Sequence, residues 1–113
     1  MSIDVNSDSF TASDDFQALR EHFQEVIEDF DSSFTSHQFI LELARRHQAE
    51  YVRALSRCLE DEQAPFRKLH QAIARNLRTF SHLIERRPDI ESEDIFRQRR
   101  ICATWRKKGQ GEE

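Results

Sequence analysis

The stretch from Pro65 to Phe80 reads PFRKLHQAIARNLRTF and decides the fold class. Its apolar residues recur at the three- and four-residue spacing of an α-helix, and they fall within an arc of about 80° at about 100° per residue. Proline is favoured in the first turn of a helix, so the helix is expected to start at Pro65. The pattern predicts a helix over 65–80 that buries Phe66, Leu69, Ile73, Leu77 and Phe80.

The opposite face of this predicted helix is basic, and no acid interrupts it. It carries Arg67, Lys68, Arg75 and Arg78 together with Gln71, whose side-chain amide can pair with adenine in a DNA major groove. Such a face suits a polyanion, because cations that neutralise phosphates release the counterions condensed on them. The alternative is that these cations only keep an exposed helix soluble.

Two further helices are predicted before Pro65. Residues 35–47 and residues 49–60 each carry an apolar stripe at helical spacing, and the Ser- and Thr-rich segment before Phe39 offers several caps for the first of them. No glycine or proline separates the two, so one long helix is the alternative.

Beyond Phe80 the periodicity changes from that of a helix to that of a strand. Residues 98–107 read QRRICATWRK and place Ile101, Ala103 and Trp105 on one face, which predicts a strand. A strand needs a partner, and residues 82–87 are the nearest candidate. The Pro88-Asp89 pair is expected to break the chain, and residues 91–98 (ESEDIFRQ) to form a loop. We therefore expect a small C-terminal β-hairpin.

The N-terminal third is acidic and rich in phenylalanine. Residues 1–14 are predicted to be a disordered acidic tail, and residues 109–113 a second tail. Residues 15–30 predict a helix with one apolar stripe and an acidic back. This helix could pack across the domain as an extra helix, form a dimer with its twin through the phenylalanine stripe, cover the basic face, or imitate DNA towards another protein.

Charge divides the chain into two halves. The net charge is −4, yet residues 1–33 hold nine acids against one base, and residues 64–111 hold twelve bases against five acids. The basic half could meet a polyanion while the acidic half repels or shields it. Alternatively, the two halves attract each other within the fold.

Residues 34–108 are predicted to form two helices, a basic helix and a hairpin, in that order, and the arginine-rich segment RRPDIESEDIFRQRR lies between the two strands. This order of elements resembles the winged helix-turn-helix superfamily. The resemblance implies a mainly α fold with a small C-terminal β-hairpin, an extra N-terminal helix, and a single domain over 15–108. It also implies binding of double-stranded DNA, with the basic helix in the major groove. Bases or flanking phosphates would meet Arg67, Lys68, Gln71 and Arg75, and the backbone would meet Arg78, Arg99, Arg100, Arg106, Lys107 and Lys108.

Catalysis, a metal and a cofactor are not expected. Both glycines lie in the last five residues, which excludes a glycine-rich phosphate loop. The two cysteines form no CxxC pair and no disulfide framework. The histidines and cysteines, at positions 22, 37, 47, 58, 70, 82 and 102, show no zinc-site spacing.

Location and partners follow from the same features. No apolar run is long enough to span a membrane, and acids occupy the place of a signal peptide, so a cytoplasmic protein is expected. The leading interpretation is a small non-enzymatic DNA-binding protein that regulates transcription. The alternative is a protein-protein interaction module that uses helix 15–30 to meet a protein partner or a second copy, as an adaptor, an inhibitor or a DNA mimic.

Overall fold

The computed structural model describes residues 10–60 and 64–108. Within them lie five helices and three strands, with short 3-10 turns (Cys58–Glu60 and Arg78–Phe80) after the fourth and fifth helices. In chain order the elements are α1 (Asp14–Arg20), α2 (Phe23–Asp29), β1 (Ser33–Thr35), α3 (Ser36–Arg46), α4 (Gln48–Arg57), α5 (Pro65–Leu77), β2 (Ile84–Glu93) and β3 (Arg99–Lys107). The fold is therefore helical with an antiparallel sheet, as predicted in outline.

One hydrophobic core joins the helices to the sheet. At its centre the ring of Phe23 lies 6.4 Å from that of Phe16, 5.0 Å from that of Phe39 and 5.6 Å from that of Phe80. These contacts connect α1, α2, α3 and the 3-10 turn after α5. The predicted stripe of α5 is confirmed for four of its five residues, because Phe66 is only partly buried while the others are buried: Leu69, Ile73, Leu77 and Phe80.

Helices α3 and α4 are separate. The chain leaves helical geometry at His47, where φ is −127° and ψ is 60°. A capping box opens α3: the Thr35 hydroxyl accepts a bond from the Gln38 backbone N–H, and the Gln38 side chain accepts one from the Thr35 N–H. Such reciprocal caps satisfy two backbone donors that have no partner within the helix.

The predicted single helix over 15–30 is wrong, because the chain forms α1 and α2 with a break at Glu21 and His22. The His22 N–H donates to the carbonyl of Leu19, three residues back, and not to the carbonyl four residues back that an α-helix would use. The break has a tertiary cause: α1 packs along α4 whereas α2 packs against α3, and one straight helix could not follow both.

The predicted N-terminal tail is also shorter than expected. Phe10 to Ala12 form a helical turn, and Phe10 is buried in the core. The Ser13 hydroxyl then accepts a bond from the Phe16 N–H and caps α1. Ordering this segment buries a large aromatic side chain, which favours it over a solvated tail. The remainder of the predicted tails, residues 1–9 and 109–113, lies outside the described residues.

The hairpin is longer than predicted. Strand β2 runs through Pro88 and Asp89 to Glu93, so residues 91–93 belong to a strand and the loop is confined to 94–98. Proline is tolerated here because β2 lies at the edge of the sheet and the register with β3 shifts between Arg87 and Ile90.

A third strand, β1, was not predicted. It pairs antiparallel with β3, places Phe34 opposite Trp105, and gives the sheet the order β1-β3-β2. Only three residues long, β1 is too short to show a period in the sequence. Its pairing with β3 ties the hairpin to the start of α3.

Candidate nucleic-acid interface

A cleft of about 720 Å³ separates the outer face of α5 from the hairpin. The floor includes Ile40 and Trp105, and the walls are strongly basic. Five arginines line it against a single acid, Asp94. Two of them stand on α5, one on the 3-10 turn that follows it, and two on the sheet: Arg67, Arg75, Arg78, Arg86 and Arg100.

The cleft exists because the hairpin loop is held against the start of α5. The Phe96 ring packs edge-on against Phe66 with 5.0 Å between centroids. On β2, the Ser92 hydroxyl lies 3.2 Å from Nδ1 of His37 on α3. The Asp94 carboxylate accepts bonds from the N–H groups of Phe96 and Gln98, which closes the loop on itself.

The floor of the cleft is fixed by a buried hydrogen bond. Trp105 Nε1 donates to Ser36 Oγ at 2.9 Å, joining β3 to the first residue of α3. The Arg86 guanidinium lies 5.8 Å from the centroid of the Trp105 ring, close enough for a cation–π contact. A bond to Asp89 Oδ1 also holds Arg86.

The cations that face the cleft from α5 and from the 3-10 turn after it are exposed. Arg67, Arg75 and Arg78 form no ion pair with any acid in residues 10–60 and 64–108, and Gln71 lies among them on the same face. Lys68 does not join them. It is turned to the other side of α5, partly buried, with its ammonium 6.0 Å from the centroid of the Phe10 ring.

The predicted cations of the hairpin are mostly engaged within the fold. Arg99 pairs with Glu91 at 3.5 Å, Arg106 pairs with Glu85, and Arg100 lies 3.9 Å from Asp94 at the cleft wall. The acids near the hairpin loop therefore face arginines of the same hairpin.

The two lysines at the end of β3 differ from each other. Lys107 donates from Nζ to the backbone carbonyls of Glu28 and Phe30, at 2.9 and 2.7 Å, and so binds the end of α2. Lys108 is exposed and does not line the cleft.

Two histidines line the cleft without adding positive charge at neutral pH. Burial lowers the pKa of His70 to about 4, and its Nε2 lies 2.6 Å from the Tyr51 hydroxyl. Burial likewise lowers the pKa of His37. The positive charge of the cleft therefore comes from guanidinium groups.

The acidic N-terminal helices leave the cleft uncovered. Helix α1 packs along α4, and its Arg20 side chain reaches another side of α5, where it donates to Asn76 Oδ1 at 3.1 Å and to Thr79 Oγ1 at 2.6 Å. Of the four placements open in the sequence, the structure has the extra helix packed on the core. The phenylalanine stripe is not available for the predicted dimer contact, because Phe16 and Phe23 are fully buried inside the domain.

Sequence reasoning missed Arg86 as a site residue. Residues 82–87 were predicted to form a strand, yet the placement of Arg86 opposite Trp105 depends on the register between β2 and β3. The alternation on β3 indicates which face Trp105 occupies, but only the register identifies its neighbour.

Comparisons with family models, curated proteins and solved structures find no match to this chain. Among the described helices, none is both long enough and apolar enough to cross a membrane.

Proposed function

We propose that this protein binds double-stranded DNA at the cationic cleft, without a cofactor and without catalysis, and that it regulates transcription. One observation carries the proposal. The arginines on the α5 side of the cleft are exposed and have no acidic partner within the described chain, and they face Arg86 and Arg100 across a concave surface. A duplex presents closely spaced phosphates, and unpaired cations gain more from them than cations already paired with carboxylates.

The shape of α5 suits a major groove. Its 13 residues span about 20 Å at about 1.5 Å per residue, and a B-DNA major groove about 12 Å wide admits a helix. Arg67, Gln71 and Arg75 are spaced four residues apart and so form one row. In the proposed complex Gln71 lies against base edges, and the flanking arginines bind guanine or phosphate.

The contact set is narrower than the resemblance to winged helices implied. In the proposal α5 contributes Arg67, Gln71 and Arg75, and the 3-10 turn after it contributes Arg78. The sheet contributes Arg86 and Arg100 along the DNA backbone. The side chains that do not line the cleft contribute little: Lys68, Arg99, Arg106 and Lys107.

A titration of a fluorescent duplex, followed by anisotropy at several salt concentrations, tests the proposal. We expect affinity to fall steeply with salt, and Arg75→Gln to reduce the log–log slope by about 0.9, the value for one phosphate contact. The matched control is Arg53→Gln on α4, since Arg53 is also exposed but does not line the cleft. Exposed charges add little to stability, so both variants should fold.

Two outcomes would overturn the proposal. One is that the full chain binds no duplex at about 50 mM salt, where even non-specific binding is strong. The other is that Arg53→Gln weakens binding as much as Arg75→Gln. That result would mean that DNA affinity depends on the net charge of the protein and not on the cleft.

A further inference from the structure

The breaks between consecutive helices bring two histidines face to face. His22 lies between α1 and α2, and His47 lies between α3 and α4. Their rings stack with 3.6 Å between centroids and an interplanar angle of 13°. Imidazole is the commonest side-chain ligand of metal ions in proteins, so two rings at one point make a candidate metal site.

Carboxylates surround the same point. Glu25 reaches both rings, with Oε1 3.6 Å from Nδ1 of His22 and Oε2 3.2 Å from Nε2 of His47. Glu50, in the first turn of α4, contributes a further oxygen. One ligand atom from each of His22, His47 and Glu50 lies within 4.8 Å of the other two.

We propose that His22, His47 and Glu50, completed by Glu25, bind one Zn²⁺ ion. Imidazole nitrogens and carboxylate oxygens are zinc ligands, and two carboxylates balance the charge of the ion while the rings stay neutral. Tetrahedral bonds of about 2.0–2.1 Å place ligand atoms about 3.3 Å apart. Binding requires the stacked rings to turn apart, because a zinc ion lies in the plane of each imidazole that binds it. The His22 and Glu25 side chains are 30% and 53% exposed, which leaves room for this movement.

The site would act as a clamp on the fold. His22 belongs to the N-terminal helix pair, whereas His47 and Glu50 belong to the α3–α4 corner, so one ion would cross-link the two. The cleft lies at the other end of α3, beside Ser36 and His37. Zinc binding is therefore separate from the proposed binding of DNA, and either can hold if the other fails.

Isothermal titration of the untagged full chain, stripped with a chelator and then dialysed, tests the proposal with ZnCl₂ alone. We expect one ion per chain, and no binding of Mg²⁺, which prefers all-oxygen sites. His47→Gln and Glu50→Gln should each weaken zinc binding at least about tenfold, since even the loss of an outer-shell partner usually costs 10- to 100-fold. The matched controls are His82→Gln, an exposed histidine away from the cluster, and Cys102→Ser.

Histidine ring signals in ¹⁵N NMR spectra of the wild-type chain decide the matter without a variant that could misfold. Added zinc should shift the ring nitrogens of His22 and His47 and leave those of His82 in place. The proposal is overturned if the wild-type chain binds no zinc, if the signals of His82 move instead, or if His82→Gln weakens binding as much as His47→Gln.

Discussion

The hydrogen bond between Tyr51 and His70 shows how burial sets the protonation of single residues here. The two polar atoms lie 2.6 Å apart beneath the cleft. Burial raises the pKa of Tyr51 to about 12 and lowers that of His70 to about 4. At neutral pH the tyrosine hydroxyl therefore stays protonated, and it can donate a hydrogen bond to the neutral imidazole.

This pair predicts a loss of stability in acid. An unfolded histidine titrates near 6.5 while folded His70 titrates near 4, so between these values the unfolded chain binds the extra proton. The free energy of unfolding should fall as the pH drops from about 7 to about 4, by on the order of 3 kcal/mol at about 1.4 kcal/mol per pKa unit.

Urea denaturation at pH 7 and pH 5 measures the effect. The variant His70→Gln should lose less stability between these pH values than the wild-type chain, because glutamine does not titrate. His82→Gln is the control, since His82 is exposed, and it should keep the wild-type pH dependence. Equal pH dependence in His70→Gln and the wild-type chain would show that His70 is not the group responsible.

At the scale of elements, an aromatic contact helps to hold the hairpin loop over the start of α5. The Phe96 side chain is 53% exposed and packs on Phe66. We predict that Phe96→Ala lowers the free energy of unfolding by about 1 kcal/mol or less, because little surface is buried. The same variant should speed amide hydrogen exchange over residues 92–100 and weaken duplex binding several-fold, since Arg100 loses its fixed place in the cleft wall.

The control for this variant is Ile90→Ala. Ile90 is also on the hairpin and 45% exposed, but it does not line the cleft. It should leave both exchange and binding near wild-type values. If Phe96→Ala and Ile90→Ala behave alike, the ring contact does not position the hairpin.

Periodicity predicted the elements whose burial repeats regularly along the chain. The buried stripe of α5 is visible in the sequence because this helix packs one face on the core. The alternation on β3 predicts the strand, but on the predicted face Trp105 is buried whereas Ile101 is 67% exposed. The break at His22 and the strand through Pro88 were not predictable in this way. The first reflects two packing partners for adjacent helices, and the second reflects the position of β2 at the sheet edge, and both are tertiary facts.

The candidate site was predictable to the same extent. Arg67, Gln71 and Arg75 share one face of α5 in any helix with this buried stripe. That Arg86 and Arg100 face them depends on the fold of the hairpin over α5, which no local pattern specifies. His22 and His47 are too far apart in the chain for any short metal-ligand spacing, and they meet only because two helix breaks are neighbours.

At the scale of the whole molecule, the division of charge should govern how DNA approaches. Exposed acids such as Glu21 and Asp31 make no ion pair within the described part of the chain and do not line the cleft. The molecule measures 47 × 30 × 28 Å. The Debye length is about 30 Å at 10 mM salt, close to the two shorter dimensions of the molecule, but only about 8 Å at 150 mM. Acids outside the cleft therefore repel a bound duplex only when the salt concentration is low.

We accordingly predict that the double variant Glu21→Gln, Asp31→Asn binds duplex DNA more tightly than the wild-type chain at about 10 mM salt and equally well at about 150 mM. Fluorescence anisotropy at the two concentrations measures the difference. Ser32→Ala, a neutral change at an exposed position beside Asp31, is the control and should alter affinity at neither. A gain that persists at 150 mM would mean that one of these acids lies against the DNA itself, because screening removes only the repulsion that acts across the molecule.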